Sequence, residues 1–175
     1  MKNQGTLGNQ ANFAYLSVGS NLGNKKNNIN FAKYLMLEKK INILKSSSFF
    51  DSKSWPNNKF PNYLNIVLHV KTYLNLNQFF KKIKDIEIKM GRKKTKKNYP
   101  RICDIDIIDF NGKVVSKQYK KFHLEIPHPR MHIRNFVLLP LYEIEKNWNH
   151  PKFKKNIVNL ISNLHESDIR GIKQV

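Results

Sequence analysis

A single cysteine, Cys103, stands in the whole chain. An intramolecular disulfide is thereby excluded, a cysteine-based zinc site is not expected, and the thiol is expected to pack in the core. Acidic residues are scarce too: 12 Asp and Glu against 32 Lys and Arg give a formal net charge of +20 and a pI of about 10.1. A field of that sign attracts polyanions, so nucleic acid, a membrane surface and nucleotide phosphates are all admissible partners, and charge alone does not choose among them. Much of the excess is lysine in a chain also rich in Asn and Ile, a usage that coding bias produces without any ligand. Long apolar runs are missing as well, none approaching the ~18 residues of a membrane span. Met1 to Asn12 lacks the charged-then-apolar pattern of a signal peptide. A short flexible leader over 1–12 and a cytoplasmic protein are therefore expected. With no internal repeat and no second boundary, residues 13–175 are expected to form a single domain.

What is present points to a globular fold with one unusual strand. Hydrophobic residues make up 40% of the chain, with 11 Phe and 7 Tyr. The stretch Arg101-Ile102-Cys103-Asp104-Ile105-Asp106-Ile107-Ile108-Asp109-Phe110 alternates acid and apolar residues directly after a cationic run. On a strand, residues two apart share a face, so Asp104 and Asp106 stand together while Cys103, Ile105 and Ile107 face a core. Two carboxylates on one edge suit a hard cation such as Mg²⁺, which takes one or two carboxylates plus phosphates. Arg92, Lys93, Lys94, Lys96, Lys97 and Arg101 are natural partners for those phosphates. Solvated charge on an exposed strand edge is the plainer alternative, and context has to decide.

The rest of the chain supplies that context. A strand over 13–18 stops at Gly19-Ser20-Asn21-Leu22-Gly23-Asn24, a turn that lacks both common glycine-rich phosphate-binding patterns and reads as structural. The spacing predicts an amphipathic helix over about 26–40, then a second strand within 41–50. Asp51 to Pro61 reads as a long loop. In the strand that follows, Tyr63, Asn65, Val67 and His69 share one face and Leu64, Ile66, Leu68 and Val70 the other. A ring that stacks and an amide that reads a donor/acceptor edge suit a flat heterocycle. Leu76 to Met90 carries a clear helical stripe stopped by Gly91, and Arg92 to Arg101 reads as a mobile basic loop. Asn111-Gly112 signals a hairpin returning Lys113-Val114-Val115 against residues 107–110. Pro127-His128-Pro129-Arg130 opens a helix buried through Leu138, Leu139 and Leu141, and a short helix is predicted over about 156–164.

Four signatures in this order resemble 6-hydroxymethyl-7,8-dihydropterin pyrophosphokinase of the folate pathway: Gly19-Ser20-Asn21-Leu22; Tyr63-Leu64-Asn65; Gly91-Arg92 with Arg101, Asp104 and Asp106; and the block from Pro127 to Leu141 that includes His128, Arg134 and Phe136. The resemblance implies an α+β fold with a ferredoxin-like βαββαβ core, an antiparallel sheet with helices packed on it, and C-terminal helical additions. It also implies transfer of pyrophosphate from ATP to the hydroxymethyl group of 6-hydroxymethyl-7,8-dihydropterin, releasing AMP. Asp104 and Asp106 then resemble the ligands of two Mg²⁺ ions, and Arg92 and Arg101 the arginines that contact phosphate, with Asp106 also placed to accept the hydroxyl proton. Glu87, Lys94, Ile107, His128 and Arg134 fall where the family contacts ATP, and Ser52, Tyr63, Asn65, Tyr99 and Phe136 at the pterin site.

Two departures stand out. Asp51-Ser52-Lys53-Ser54-Trp55-Pro56 replaces a threonine-containing loop, and Tyr99 is the nearest aromatic to a tryptophan that some members carry. The rival class is a basic RNA-binding module of ferredoxin-like fold. Against it, no aromatic RNP1 pattern is present, and two carboxylates sit where a phosphate backbone would be repelled without metal. ATP and the pterin are thus the expected partners, with no nucleic acid, no membrane and a monomeric state.

Overall fold

The computed structural model describes residues 10–54, 59–92, 99–119 and 122–175. Strand β1 (Asn12–Ser20) lies between β4 (Tyr63–Thr72) and β5 (Asp104–Phe110), antiparallel to both. With β2 (Ile41–Ser46) and β3 (Phe50–Ser52) both paired to β4, and β8 (Ile172–Gln174) paired to β3, the sheet runs β5-β1-β4-β3-β8. Strands β1, β2/β3, β4 and β5 with helices α1 (Lys25–Glu38) and α2 (Leu76–Lys89) give the βαββαβ order expected from the sequence.

Alternation decides which face each strand presents. Ala14, Leu16 and Val18 of β1 and Leu64, Ile66, Leu68 and Val70 of β4 pack with Ile29, Ala32, Leu35 and Met36 of α1 and Phe79, Phe80, Ile83 and Ile86 of α2. Each fully buried Val, Leu, Ile, Phe or Met among them contributes roughly 1.5–3 kcal/mol of transfer free energy. The helices start where asparagines satisfy orphan N–H groups: Asn24 accepts from the Asn27 N–H, and Asn75 forms a capping box with Gln78. Helix α2 ends at Gly91, whose φ of +88° favours glycine. The opposite face carries a second core in which Val67 and Ile108 meet Met131, Val137, Leu138, Leu141, Trp148, Ile157 and Leu160. That core is built by a 3-10 turn (Met131–Ile133), α3 (Asn135–Ile144) and α4 (Ile157–Ser162). These are the C-terminal helical additions the sequence led us to expect.

Several expectations are corrected. Asn111 and Gly112 do form a turn, with φ of +52° and +65°, but the following strand does not return onto β5. Strand β6 (Val115–Tyr119) instead pairs with β7 (Phe122–Ile126) in a separate two-stranded sheet. Its Ser116, Lys117 and Gln118 are exposed and offer no apolar face to the core. The second strand is split, because Ser47 interrupts it and its hydroxyl accepts the Val67 N–H at 2.9 Å. Asp51 and Ser52, expected in a loop, lie in β3. Asn12, expected in the leader, begins β1 and donates to the Leu74 carbonyl. The helix expected to open at Pro127-His128-Pro129-Arg130 begins only at Asn135, and Leu139 is only half-buried. Helix α5 (Glu166–Arg170) and β8 were not foreseen, three residues being too few for alternation to register.

Candidate active site

The site grows from the end of the sheet where β1 stops. Gly19 is paired with Asn65 of β4 on one side and Asp104 of β5 on the other, and Ser17 with Val67 and Asp106. Directly opposed residues share a face, so Asn65, Asp104 and Asp106 stand on one surface, opposite Ile105 and Ile107. Beyond Asp106 the strand bulges: Leu16 faces Ile107 while Tyr15 faces Asp109, leaving Ile108 as the extra residue. Ile108 and Asp109 consequently both meet the second core, and Phe110 returns to the first.

Four cationic or imidazole groups converge on the two carboxylates. Arg92 and Arg101 donate through Nη1 to Asp104 Oδ1 at 3.1 and 3.0 Å. Arg134 Nη1 donates to Asp106 Oδ2 at 3.1 Å, and His128 Nε2 lies 3.6 Å from the same oxygen. Both carboxylates keep 28% of their side-chain surface exposed. Desolvation pulls the Asp104 carboxyl upward, but Arg101 and Arg92 outweigh it and hold it below the usual carboxylate range. His128 is pushed down, first by burial and then by Arg134, against the opposing pull of Asp106.

Glu87 lies beneath this arrangement with none of its side chain exposed. It accepts from Lys84 Nζ at 2.8 Å, from the Ile105 N–H at 2.9 Å and from Arg92 Nη1. Burial raises its pKa in spite of Lys84 and Arg92. Expected to contact ATP, Glu87 faces protein on every side named and reaches the surface through Arg92. Lys84, three residues earlier on α2, was missed by sequence reasoning, although the i,i+3 spacing of a Lys and a Glu was there to read.

A cleft of about 220 Å³ adjoins Asp106, lined by Phe80, Lys84, Ile107, Leu124, Glu125 and His128 among others. It lies beside β5, which among the described residues has a sheet partner on one side only. Ile107 and His128, expected near ATP, both line it. On the other flank Asn65 is buried and donates to Ser52 Oγ at 2.9 Å. The half-buried Tyr63 ring lies against Gly19, and burial raises its phenol pKa. Phe136 carries the Arg134 guanidinium over its ring at 5.4 Å, tying it to Asp106. Tyr99 is exposed and meets Phe60, with ring centroids 5.5 Å apart. Lys94 lies outside the described residues.

The donor set fits a divalent hard cation. Two partly exposed carboxylates on alternate residues supply oxygen ligands of the kind Mg²⁺ takes in ones or twos. Among the described residues no group of three or more His, Cys, Asp or Glu is placed to hold a metal. Nor, among the described residues, is any helix long and apolar enough to cross a membrane.

Comparison with known proteins bears on the family and the fold. The profile of the 7,8-dihydro-6-hydroxymethylpterin-pyrophosphokinase (HPPK) family matches residues 15–146. The chain is 42% identical over 149 residues to the folic acid synthesis protein FOL1 of Dictyostelium discoideum, covering 85% of this chain and 22% of that protein. It is 38% identical to the 2-amino-4-hydroxy-6-hydroxymethyldihydropteridine pyrophosphokinase of Aquifex aeolicus, covering 81% of this chain and 85% of that one. The fold matches the crystal structure of wild-type Plasmodium falciparum HPPK-DHPS with pterin and p-hydroxybenzoate at a TM-score of 0.75 and 17% identity, over 97% of this chain and 47% of that one. The chain thus spans about a fifth of the Dictyostelium protein and about half of the Plasmodium chain. The RNA-binding alternative finds no support among these matches. By its profile match and its identity to the Aquifex enzyme, the chain belongs to the HPPK family.

Proposed function

We propose that the protein transfers the β,γ-pyrophosphoryl group of ATP to the hydroxymethyl oxygen of 6-hydroxymethyl-7,8-dihydropterin, yielding AMP and the pterin diphosphate. The observation that carries this reading is the convergence of Arg92, Arg101 and Arg134 on Asp104 and Asp106, one strand away from the Asn65 amide. Asp104 and Asp106 would hold two Mg²⁺ ions, which when bound supply charge neutralisation on the bridging and leaving phosphate oxygens. In the free protein the arginines neutralise the carboxylates. With a triphosphate present the same guanidiniums are within reach of its oxygens, where charge-assisted bonds are roughly twice as strong as neutral ones.

The pterin hydroxyl attacks Pβ, the bond from Pβ to the α,β-bridging oxygen breaks, AMP leaves, and the hydroxyl proton passes to Asp106. Ile107 and Leu124 offer apolar walls for the base in the adjoining cleft, beside His128. Glu87 and Lys84 keep Arg92 aimed at Asp104 from below. On the pterin side Asn65, its amide fixed by Ser52, reads the heterocycle's edge, and Tyr63, Tyr99 and Phe136 supply rings. Lys94 completes the phosphate contacts. The reading includes a monomer acting in the cytoplasm without nucleic acid, formed by one domain that begins with β1 at Asn12. Its test is AMP formation from ATP, Mg²⁺ and the hydroxymethyl-dihydropterin. Stoichiometric AMP and pterin diphosphate are expected, and a folded protein that makes neither contradicts the assignment.

A further inference from the structure

Strand β1 pairs with the strands that carry both halves of the site, and its last residues have no role in the chemistry just described. Gly19 is paired with Asn65 on one flank and Asp104 on the other. Strands in a sheet lie about 4.8 Å apart, so the amide and the carboxylate face each other across ~10 Å of backbone floor. That floor has to be bare: a Cβ on Gly19 would meet Asn65 Oδ1 at 2.9 Å and the Tyr63 ring at 3.2 Å.

Two residues on, Asn21 is 2% exposed and laces the flanking strands together beyond the end of the sheet. Its Oδ1 accepts the Arg101 N–H at 2.8 Å, its own N–H donates to the Arg101 carbonyl at 3.2 Å, and its Nδ2 donates to the Pro61 carbonyl at 3.2 Å. Pro61 leads into Tyr63 and Asn65, and Arg101 leads into Asp104 and Asp106. Ser20 between them is fixed in turn, its Oγ accepting from Asn28 of α1 at 3.1 Å.

We propose that Gly19-Ser20-Asn21 is the spacer that sets the distance between the two substrates, with Asn21 a positioning residue for the transfer. The inference rests on the pyrophosphokinase reading above. Asn21 is buried and reaches backbone only, so it binds neither substrate; it fixes where the strand reading the acceptor sits relative to the strand holding the donor's phosphates. Transfer between two bound molecules depends steeply on that distance, a misplacement of about 1 Å costing on the order of 10²-fold in rate.

The test compares the parent with Asn21→Ala and Asn21→Asp. Measured quantities are kcat for AMP formation, thermal midpoint, and separate equilibrium titrations of the pterin and of a non-reactive Mg²⁺-ATP analogue. Asn21→Ala is expected to lose on the order of 10²-fold in kcat while each substrate still binds within about threefold of the parent. Asn21→Asp keeps an acceptor for the Arg101 N–H and loses the bond to Pro61, so an intermediate loss, on the order of 10-fold, is expected. A kcat within threefold of the parent in Asn21→Ala, or a loss of kcat matched by an equal loss of substrate binding, overturns the proposal. If Asn21→Ala does not fold, Asn21→Asp decides by the same criteria. A parent that makes AMP while the variants match it sinks only this inference, whereas a parent that makes none sinks the functional reading beneath it.

Discussion

Strand β5 carries three carboxylates, and the difference between the first two and the third separates site from scaffold. Asp109 is 6% exposed and accepts from two neutral, fixed donors: the Trp148 indole N–H at 2.9 Å and the Gly112 N–H at 2.7 Å. Asp104 and Asp106, on the same strand, stay partly open and accept from the ends of long cationic side chains. A fixed neutral donor has nowhere else to go, so the Asp109 bonds serve packing. A guanidinium on a flexible stem can exchange one anion for another, so the bonds at Asp104 and Asp106 are provisional. The bulge at Ile108 makes the contrast possible by turning Asp109 toward the second core.

That contrast can be broken in order of expected effect. Asp104→Ala and Asp106→Ala should each lower AMP formation about 10³-fold, the several kcal/mol that metal-borne charge stabilisation supplies. Their thermal midpoints should stay near the parent's, because the carboxylates removed are partly exposed. Asp109→Ala should do the reverse: leaving the buried indole N–H unpaired costs roughly 1–3 kcal/mol, or about 2–10 °C in midpoint for a chain of this size, with kcat within threefold. A third effect belongs to the scaffold alone. His150 accepts the Lys152 and Phe153 N–H groups on Nδ1, and burial first, then His132 and Lys152, depress its pKa to about 4. A depressed folded value means the unfolded chain binds the proton first. Its stabilisation is therefore complete above about pH 6.5 and drains away as pH falls toward about 4, by roughly 1–2 kcal/mol at pH 5. Thermal midpoints of the parent and His150→Gln across that range check this: the parent should fall more steeply, and parallel curves would remove His150 from the account.

How much of this was legible follows from what periodicity encodes. The Asp104/Asp106 pair, the Tyr63/Asn65 face and the α2 stripe were readable because each runs over enough residues for a period of two or of 3.6 to show. Glu87 was half-legible: it falls four residues after Ile83 and three before Met90, on the buried stripe, and its position there foretells a carboxylate that must be paired inside the protein. The Ile108 bulge was not legible, since one inserted residue reverses the face without changing composition. Nor was the fate of β6: Asn111-Gly112 specifies a turn, but the partner of the strand after it is chosen by exposed surface and by β7. The three bonds of Asn21 join residues 40 and 80 positions away, and no local pattern carries them.

The most direct measurement of the central claim is a titration of a non-reactive Mg²⁺-ATP analogue into the parent and into the Asp104→Asn, Asp106→Asn double variant. Asparagine keeps the shape and the hydrogen bonding to arginine but removes the charge that holds a metal. The account predicts that the parent binds the analogue only with Mg²⁺ present and that the double variant binds it at least 10²-fold more weakly, a loss of about 2.7 kcal/mol. Equal affinity in the two proteins, or a parent indifferent to Mg²⁺, would contradict it.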